Sequence, residues 1–146
     1  MPIWNAAGTF ARGSALHSRG ERELGLSTMR QGLALFRQLG IGAYLPFLGL
    51  ALAAAEGSLS GAKAGLATID ETLSESQRSG QHWLDPMLHR LRGDLLLKAD
   101  PNDRPGAEAA YRTAIAVADT QGTRLFASRG EAALKQIMRQ ANSRKV

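Results

Sequence analysis

Apolar positions along the chain recur at steps of three and four residues, and no stretch alternates for long. Leu88, Leu91 and Leu95 form one such stripe, and Leu48, Ala51 and Ala55 form its counterpart about 40 residues earlier. Residues at this spacing share one face of an α-helix, whereas strands need a period of two. The pattern predicts helices over residues 2–18, 21–39, 44–57, 61–78, 84–98, 104–120 and 124–141, with no strands. Breaks are expected at Arg19-Gly20, Gly40 to Ala43, Gly57 to Ser60, Ser79 to His82, Asp100 to Arg104 and Gln121 to Thr123. The connection ADPNDRPG is the most polar and is expected to be the most mobile.

The helices repeat. Gly40, Gly80 and Gly122 each end a helical pattern and lie 40 and 42 residues apart, and a glycine just past the last periodic residue is the common left-handed helix stop. Counting back from each stop by the same offset gives Gly25, Gly65 and Ala107, then Met29, Ile69 and Tyr111, then Gly32, Thr72 and Ala114. This order of small, bulky, small lies on one helical face. It suits a helix that lets its neighbour approach closely and fills the remaining seam with one large side chain. Six residues after the first two stops stand Pro46 and Pro86, placed for the first turn of the next helix, where a missing N–H costs nothing. The chain therefore divides into repeats over residues 2–40, 41–80 and 81–122, a terminal helix over 123–141 and a basic tail over 142–146. All are expected within a single domain, 1–146.

Composition narrows the classes. With 146 residues the chain is long enough for a core of its own, and with no cysteine it has no disulfide or thiolate metal site. The net charge of +5 raises the question of nucleic acid, but the 18 basic residues are scattered, with local concentrations only at His89 to Arg92 and in the tail from Arg139 to Lys145. Nucleic acid is therefore not expected as a partner. MPIWNAAGTFARG does not read as a secretory signal, and Ile41 to Ala55 is shorter than a bilayer span. A cytoplasmic chain without membrane contact is expected.

The pair Leu88, Leu91, Leu95 and Ala107, Tyr111, Ala114 resembles the tetratricopeptide motif, in a repeat longer than usual. MRQGLALFRQLG, YLPFLGLALAAAEGSLSGAKAGLATIDETL, LHRLRGDLLLKADP and AEAAYRTAIAVADTQGTRLFASRGEAAL together resemble one group more closely. These are the repeat regions that follow adenylate or guanylate cyclase-like and ATPase modules in large bacterial signalling regulators. The resemblance runs from about Gly13 to Leu134. It implies an all-α solenoid of about seven helices in a right-handed superhelical array, acting as an interaction or sensory region beside such a module. The cyclase and ATPase modules have no counterpart in the sequence, so no catalytic residue is carried over.

Chemistry of the chain's own is not expected. There is no phosphate-binding GxxxxGK[ST] loop and no dinucleotide fingerprint. Asp85 and His89 share a helix face with His82 nearby, but this reads as a surface pair rather than a metal site. No catalytic residue, metal or cofactor is assigned.

A binding surface is placed by geometry. If Leu88, Leu91 and Leu95 point into their own hairpin, then Pro86, His89, Gly93 and Leu96 face a groove, with Pro46, Gly49, Ala53 and Glu56 as the matching positions one repeat earlier. Small residues there leave room for a peptide or helix, and His89, Arg90 and Arg92 supply contacts to an acidic segment. Trp4, Tyr44 and Trp83 stand near the starts of leading helices and are read as plugs between hairpins, with binding anchors as the other reading. The leading expectation is a protein-interaction module. A small-ligand sensory region and a structural dimerisation unit are the alternatives, the last because Leu125, Phe126, Leu134, Ile137 and Met138 of the final helix lack a partner helix.

Overall fold

The computed structural model describes residues 1–59 and 61–144, and among these there are seven helices and no strand. Each helix lies within two residues of its expected bounds. They are α1 (Pro2–Ser18), α2 (Arg22–Gln38), α3 (Leu45–Leu59), α4 (Ala62–Ser79), α5 (Asp85–Ala99), α6 (Arg104–Gln121) and α7 (Arg124–Ser143). The break expected from Gly57 starts later, because α3 continues to Leu59, and Ser60 lies outside the described residues, as do Lys145 and Val146 of the tail. The chain forms two compact units, residues 1–82 and 83–146.

The stops behave as their chemistry requires. Gly40, Gly80 and Gly122 have φ of +67°, +74° and +72°, a left-handed conformation that a side chain with a Cβ adopts only at a cost. Pro46 and Pro86 both fall in the first turn of their helices. The connection between α5 and α6, expected to be the most mobile, is held by hydrogen bonds. Asn102 N donates to Asp100 Oδ1 at 2.9 Å, Asp103 N donates to Asp100 O at 2.9 Å, and Asp103 caps α6 by accepting from Gly106 N at 3.1 Å.

In the first unit, α1 pairs with α2 and α3 with α4, and α2 also packs on α3. The triplet Gly25, Met29, Gly32 is buried, and so is Gly65, Ile69, Thr72. A Cβ on Gly25 would stand 2.5 Å from His17 N, and one on Gly32 would stand 2.6 Å from Phe10 N. The two backbones of the first hairpin thus touch, and glycine is what permits it. The core of this unit joins Phe10, Leu26, Met29, Leu33, Phe36, Leu48 and Leu52, and each such side chain contributes about 1.5–3 kcal/mol by leaving water.

In the second unit, α5 pairs with α6, and α7 packs on both. The triplet Ala107, Tyr111, Ala114 is buried. Ile137 of α7 joins Ala107 and Tyr111 in one cluster, with Leu134 against it. The expectation that the final helix lacks a partner is therefore corrected. The apolar stripe of α7 is turned onto α6 and α5, which leaves Leu125 and Met138 as its exposed large apolar residues.

Candidate functional site

The groove positions read from sequence are mostly interior. Gly49 faces Thr72 of α4, and Gly93 faces the ring of Tyr111 on α6. Both glycines lie in the seam of their own hairpin rather than on an open groove, because the residue that needs the space is the bulky or β-branched member across the pair. Pro46, Ala53, Glu56 and Pro86 are buried, and His89, Arg90, Arg92 and Leu96 are half-buried.

Glu56 is the single charge of α3, and it is only 4% exposed. It accepts from Arg30 Nη2 at 2.7 Å and from Thr68 Oγ1 at 2.5 Å. Two turns further along α2, Arg37 donates through Nε at 3.1 Å and Nη2 at 2.5 Å to Glu75 Oε1, with Glu71 at 3.4 Å. Two arginines seven residues apart on one helix thus satisfy two buried carboxylates on α3 and α4, whose burial without partners would be costly. A polar cavity of about 280 Å³ beside them is lined by Arg30, Arg37, Thr68 and Glu71 over Leu33 and Leu52. The charges already neutralise one another, so the cluster holds three helices together.

In the second unit, Tyr111 donates its hydroxyl to Asp94 Oδ1 at 2.6 Å, and Arg90 Nη1 stands 3.8 Å from Asp94 Oδ2. Burial and the neighbouring carboxylate both disfavour the phenolate, so the Tyr111 pKa is raised. The His89 pKa is lowered, by burial first and by Arg92 as well, against the opposing pull of Asp85. The cationic contacts expected of this stretch are in part already used within the chain. No group of three or more metal-binding side chains occurs among the described residues, and none of their helices is long and apolar enough to cross a membrane.

The open apolar surface lies on the first unit instead. A cleft of about 460 Å³ runs between α1 and α3. Its floor is Phe10, Phe36 and Leu48, all buried in the core. Its walls are Trp4, Tyr44 and Phe47, which are 70%, 54% and 54% exposed. Tyr44 is held by a tilted contact with Phe36, ring centres 6.1 Å apart. Both helices run antiparallel to α2, since Phe10 meets Gly32 and Glu56 meets Arg30, so α1 and α3 are parallel to each other. At their C-terminal ends Ser58 Oγ approaches His17 Nε2 at 3.4 Å. The aromatic end, at the two helix N-termini, stays open.

Trp4 and Tyr44 therefore stand at the seam between the first two hairpins without closing it, and Trp83 is likewise about half exposed. Phe47 was missed altogether. The signal was present in α3, which carries one charge in 15 residues, and a helix apolar all round requires cover on more than one side.

Comparison with known proteins finds no matching family model, no matching curated protein and no matching solved structure.

Proposed function

We propose that the chain is a non-catalytic protein-interaction module whose docking surface is the aromatic cleft between α1 and α3. The observation that carries this reading is the exposure of Trp4, Tyr44 and Phe47 around a floor that is itself core. Aromatic side chains of this size dominate binding energetics when a partner covers them, because each removes a large apolar area from water at about 25 cal/mol per Å². Parallel α1 and α3 leave a trough between them that suits a helix or peptide laid along it. On this reading the hairpins stack in the tetratricopeptide manner, as a right-handed superhelical array. The module then serves a signalling regulator, as part of it or as a partner to its cyclase-like or ATPase module.

A small-ligand sensory role is the second reading, favoured by the cleft volume, which falls in the range of about 300–1,000 Å³ common to small-molecule sites. The dimerisation reading loses one motive, since α5 and α6 cover the apolar stripe of α7, and keeps the other, the apolar surface exposed on the terminal helix α1.

Trp83→Phe leaves Trp4 as the sole tryptophan and makes its emission a direct reporter. Titration with an amphipathic peptide bearing leucine on successive turns is expected to give a saturable blue shift, lost in the Tyr44→Ser/Phe47→Ser protein. No saturable shift with such peptides would exclude the interaction reading, and saturation by decanoate or indole alone would favour the sensory one.

A further inference from the structure

Trp4 belongs to two clefts. On one side of α1 it walls the apolar cleft, and on the other it borders a polar cleft of about 480 Å³ lined by Asn5, Thr9, Arg12 and Gln31. None of these four side chains makes a hydrogen bond or ion pair among the described residues, so their donors face solvent. Between Trp4 and Arg12 the outer surface of α1 is low. An added Cβ at Gly8 would meet nothing within 4 Å, and Ala11 is the next residue along.

Charge on this face has one sign. Helix α1 contains no Asp or Glu, and the one carboxylate of α3, Glu56, is buried against Arg30. The acidic residues near the start of α2, Glu21 and Glu23, lie beside the far end of α1, because the two helices are antiparallel. The first turns of both α1 and α3 also lack acidic residues, so the positive ends of two parallel helix dipoles meet at the open end of the apolar cleft without a compensating charge.

We propose that this edge binds an acidic amphipathic peptide segment, whose apolar side chains fill the cleft between α1 and α3 and whose carboxylate crosses the saddle at Gly8 to pair with Arg12. The proposal rests on the reading of the cleft as a docking surface and adds the chemistry of the occupant. Trp4 and Arg12 are eight residues apart on one helix, about 12 Å by helix rise. The carboxylate therefore belongs roughly that far from the side chain stacked on Trp4. A chain, rather than a compact molecule, is what reaches both sides of the indole. Asn5, Thr9 and Gln31 offer neutral hydrogen bonds to its backbone, and Arg12, the charged residue among those lining this cleft, discriminates between partners.

A charge-swap experiment tests this. Two peptides are made with the same leucine-bearing face, one ending in glutamates and one in lysines, and each is titrated against the Trp83→Phe protein with and without Arg12→Glu. Arg12 is exposed on a helix surface, and a thermal melt checks that the variant folds. The glutamate peptide is expected to bind the Arg12 protein about three- to tenfold more tightly than the lysine peptide, as for a solvent-exposed ion pair set against a like-charge contact. Arg12→Glu is expected to reverse the order, and raised salt to shrink both differences. Saturable binding of both peptides with no preference, or a preference unchanged by Arg12→Glu, overturns the acidic occupant and leaves the cleft as a docking surface. If neither peptide binds either protein, both proposals are overturned.

Discussion

The first and third hairpins carry the same triplet on their second helix and close the helix pair by different contacts. Between α1 and α2, glycines stand on both sides of the crossing. A Cβ on Gly13 would lie within 2.8 Å of Met29 N and Gly25 O, and one on Gly25 would lie 2.5 Å from His17 N. Between α5 and α6 a single glycine, Gly93, makes room for the ring of Tyr111, and alanines flank that ring. In one hairpin backbone rests on backbone. In the other a ring fills a gap and hands its hydroxyl to Asp94. One sequence pattern therefore has two physical realisations, and they differ in how much they can yield.

The largest expected effect comes from adding one methyl group to each. Gly25→Ala and Gly32→Ala place a Cβ 2.5 and 2.6 Å from backbone nitrogens. Neither helix relieves such a contact without moving as a whole, so a loss on the order of 3 kcal/mol or more is expected, well beyond the roughly 1 kcal/mol that alanine gains over glycine in helix propensity. A Cβ on Gly93 has the Tyr111 ring as its three nearest atoms, and the double variant Gly93→Ala/Tyr111→Leu is expected to recover part of the loss. Denaturant melts of the single and double variants give the coupling directly. If Gly25→Ala were as mild as Gly93→Ala, the distinction between the two seams would fall.

Next in size is Glu56, one of two buried carboxylates in the first unit, which have no counterpart among the described residues of the second. Glu56→Ala removes the acceptor of both Arg30 and Thr68 and empties a buried site. Arg30 is about half exposed and regains water, so the expected loss is about 1–3 kcal/mol rather than that of an orphaned buried charge. Glu56→Gln keeps the shape and the Thr68 bond and is expected to cost less. A Glu56→Gln protein as stable as the parent would show that the charge contributes nothing to holding α2 on α3, whereas equal losses for the two would assign the whole contribution to the charge.

These contrasts show what was legible in advance. The register was, because Gly40, Gly80 and Gly122 are helix stops by backbone conformation and the triplets follow at a fixed offset, so Met29, Ile69 and Tyr111 were each placed inside. The facing of the leading helices was not. Gly49 and Gly93 read as room for a ligand, whereas the space is taken by Thr72 and Tyr111, and composition alone does not say which neighbour claims a gap. Trp4 and Tyr44 read as plugs because stacked hairpins leave seams that large side chains fill. Their exposure depends on the divergence of α1 and α3 at one end, which is a tertiary property. Glu56 read as a groove position, whereas it is buried against Arg30, 26 residues away, a partner that nothing local named.

A smaller effect separates the hydroxyl of Tyr111 from its ring. Tyr111→Phe keeps the packing against Gly93 and loses the bond to Asp94, whose carboxylate is 44% exposed and stays hydrated, so about 0.5–1.5 kcal/mol is expected at neutral pH. The raised pKa adds a test with a definite sign. The unfolded phenol ionises near pH 10 while the folded one resists. Stability from this group is thus complete below pH 10 and lost as pH rises above it. Tyr111→Phe is expected to flatten that alkaline decline, and a decline identical in the two proteins would sink the assignment.

The smallest effect lies at the opposite end of the pH scale, again in the second unit. His89 has its pKa lowered, chiefly by burial and partly by Arg92, with Asp85 opposing. In the unfolded chain it takes up a proton near pH 6.5, whereas the folded chain holds it neutral to lower pH. The sign is therefore the reverse of that for Tyr111. Its contribution is intact above pH 6.5 and is lost as pH falls through and below that value. Because His89 is only half-buried and Asp85 partly compensates, the slope is expected to be slight, a fraction of the roughly 1.4 kcal/mol that a tenfold change in proton affinity represents. Melting temperatures of the parent and His89→Gln proteins between pH 7.5 and 5, compared at matched salt, are expected to converge as pH falls if the parent begins as the more stable. Parallel curves would mean that the helix face bearing His89 is as wet as an exposed one, and the contrast between a dry Tyr111 and a half-dry His89 on neighbouring helices would need redrawing.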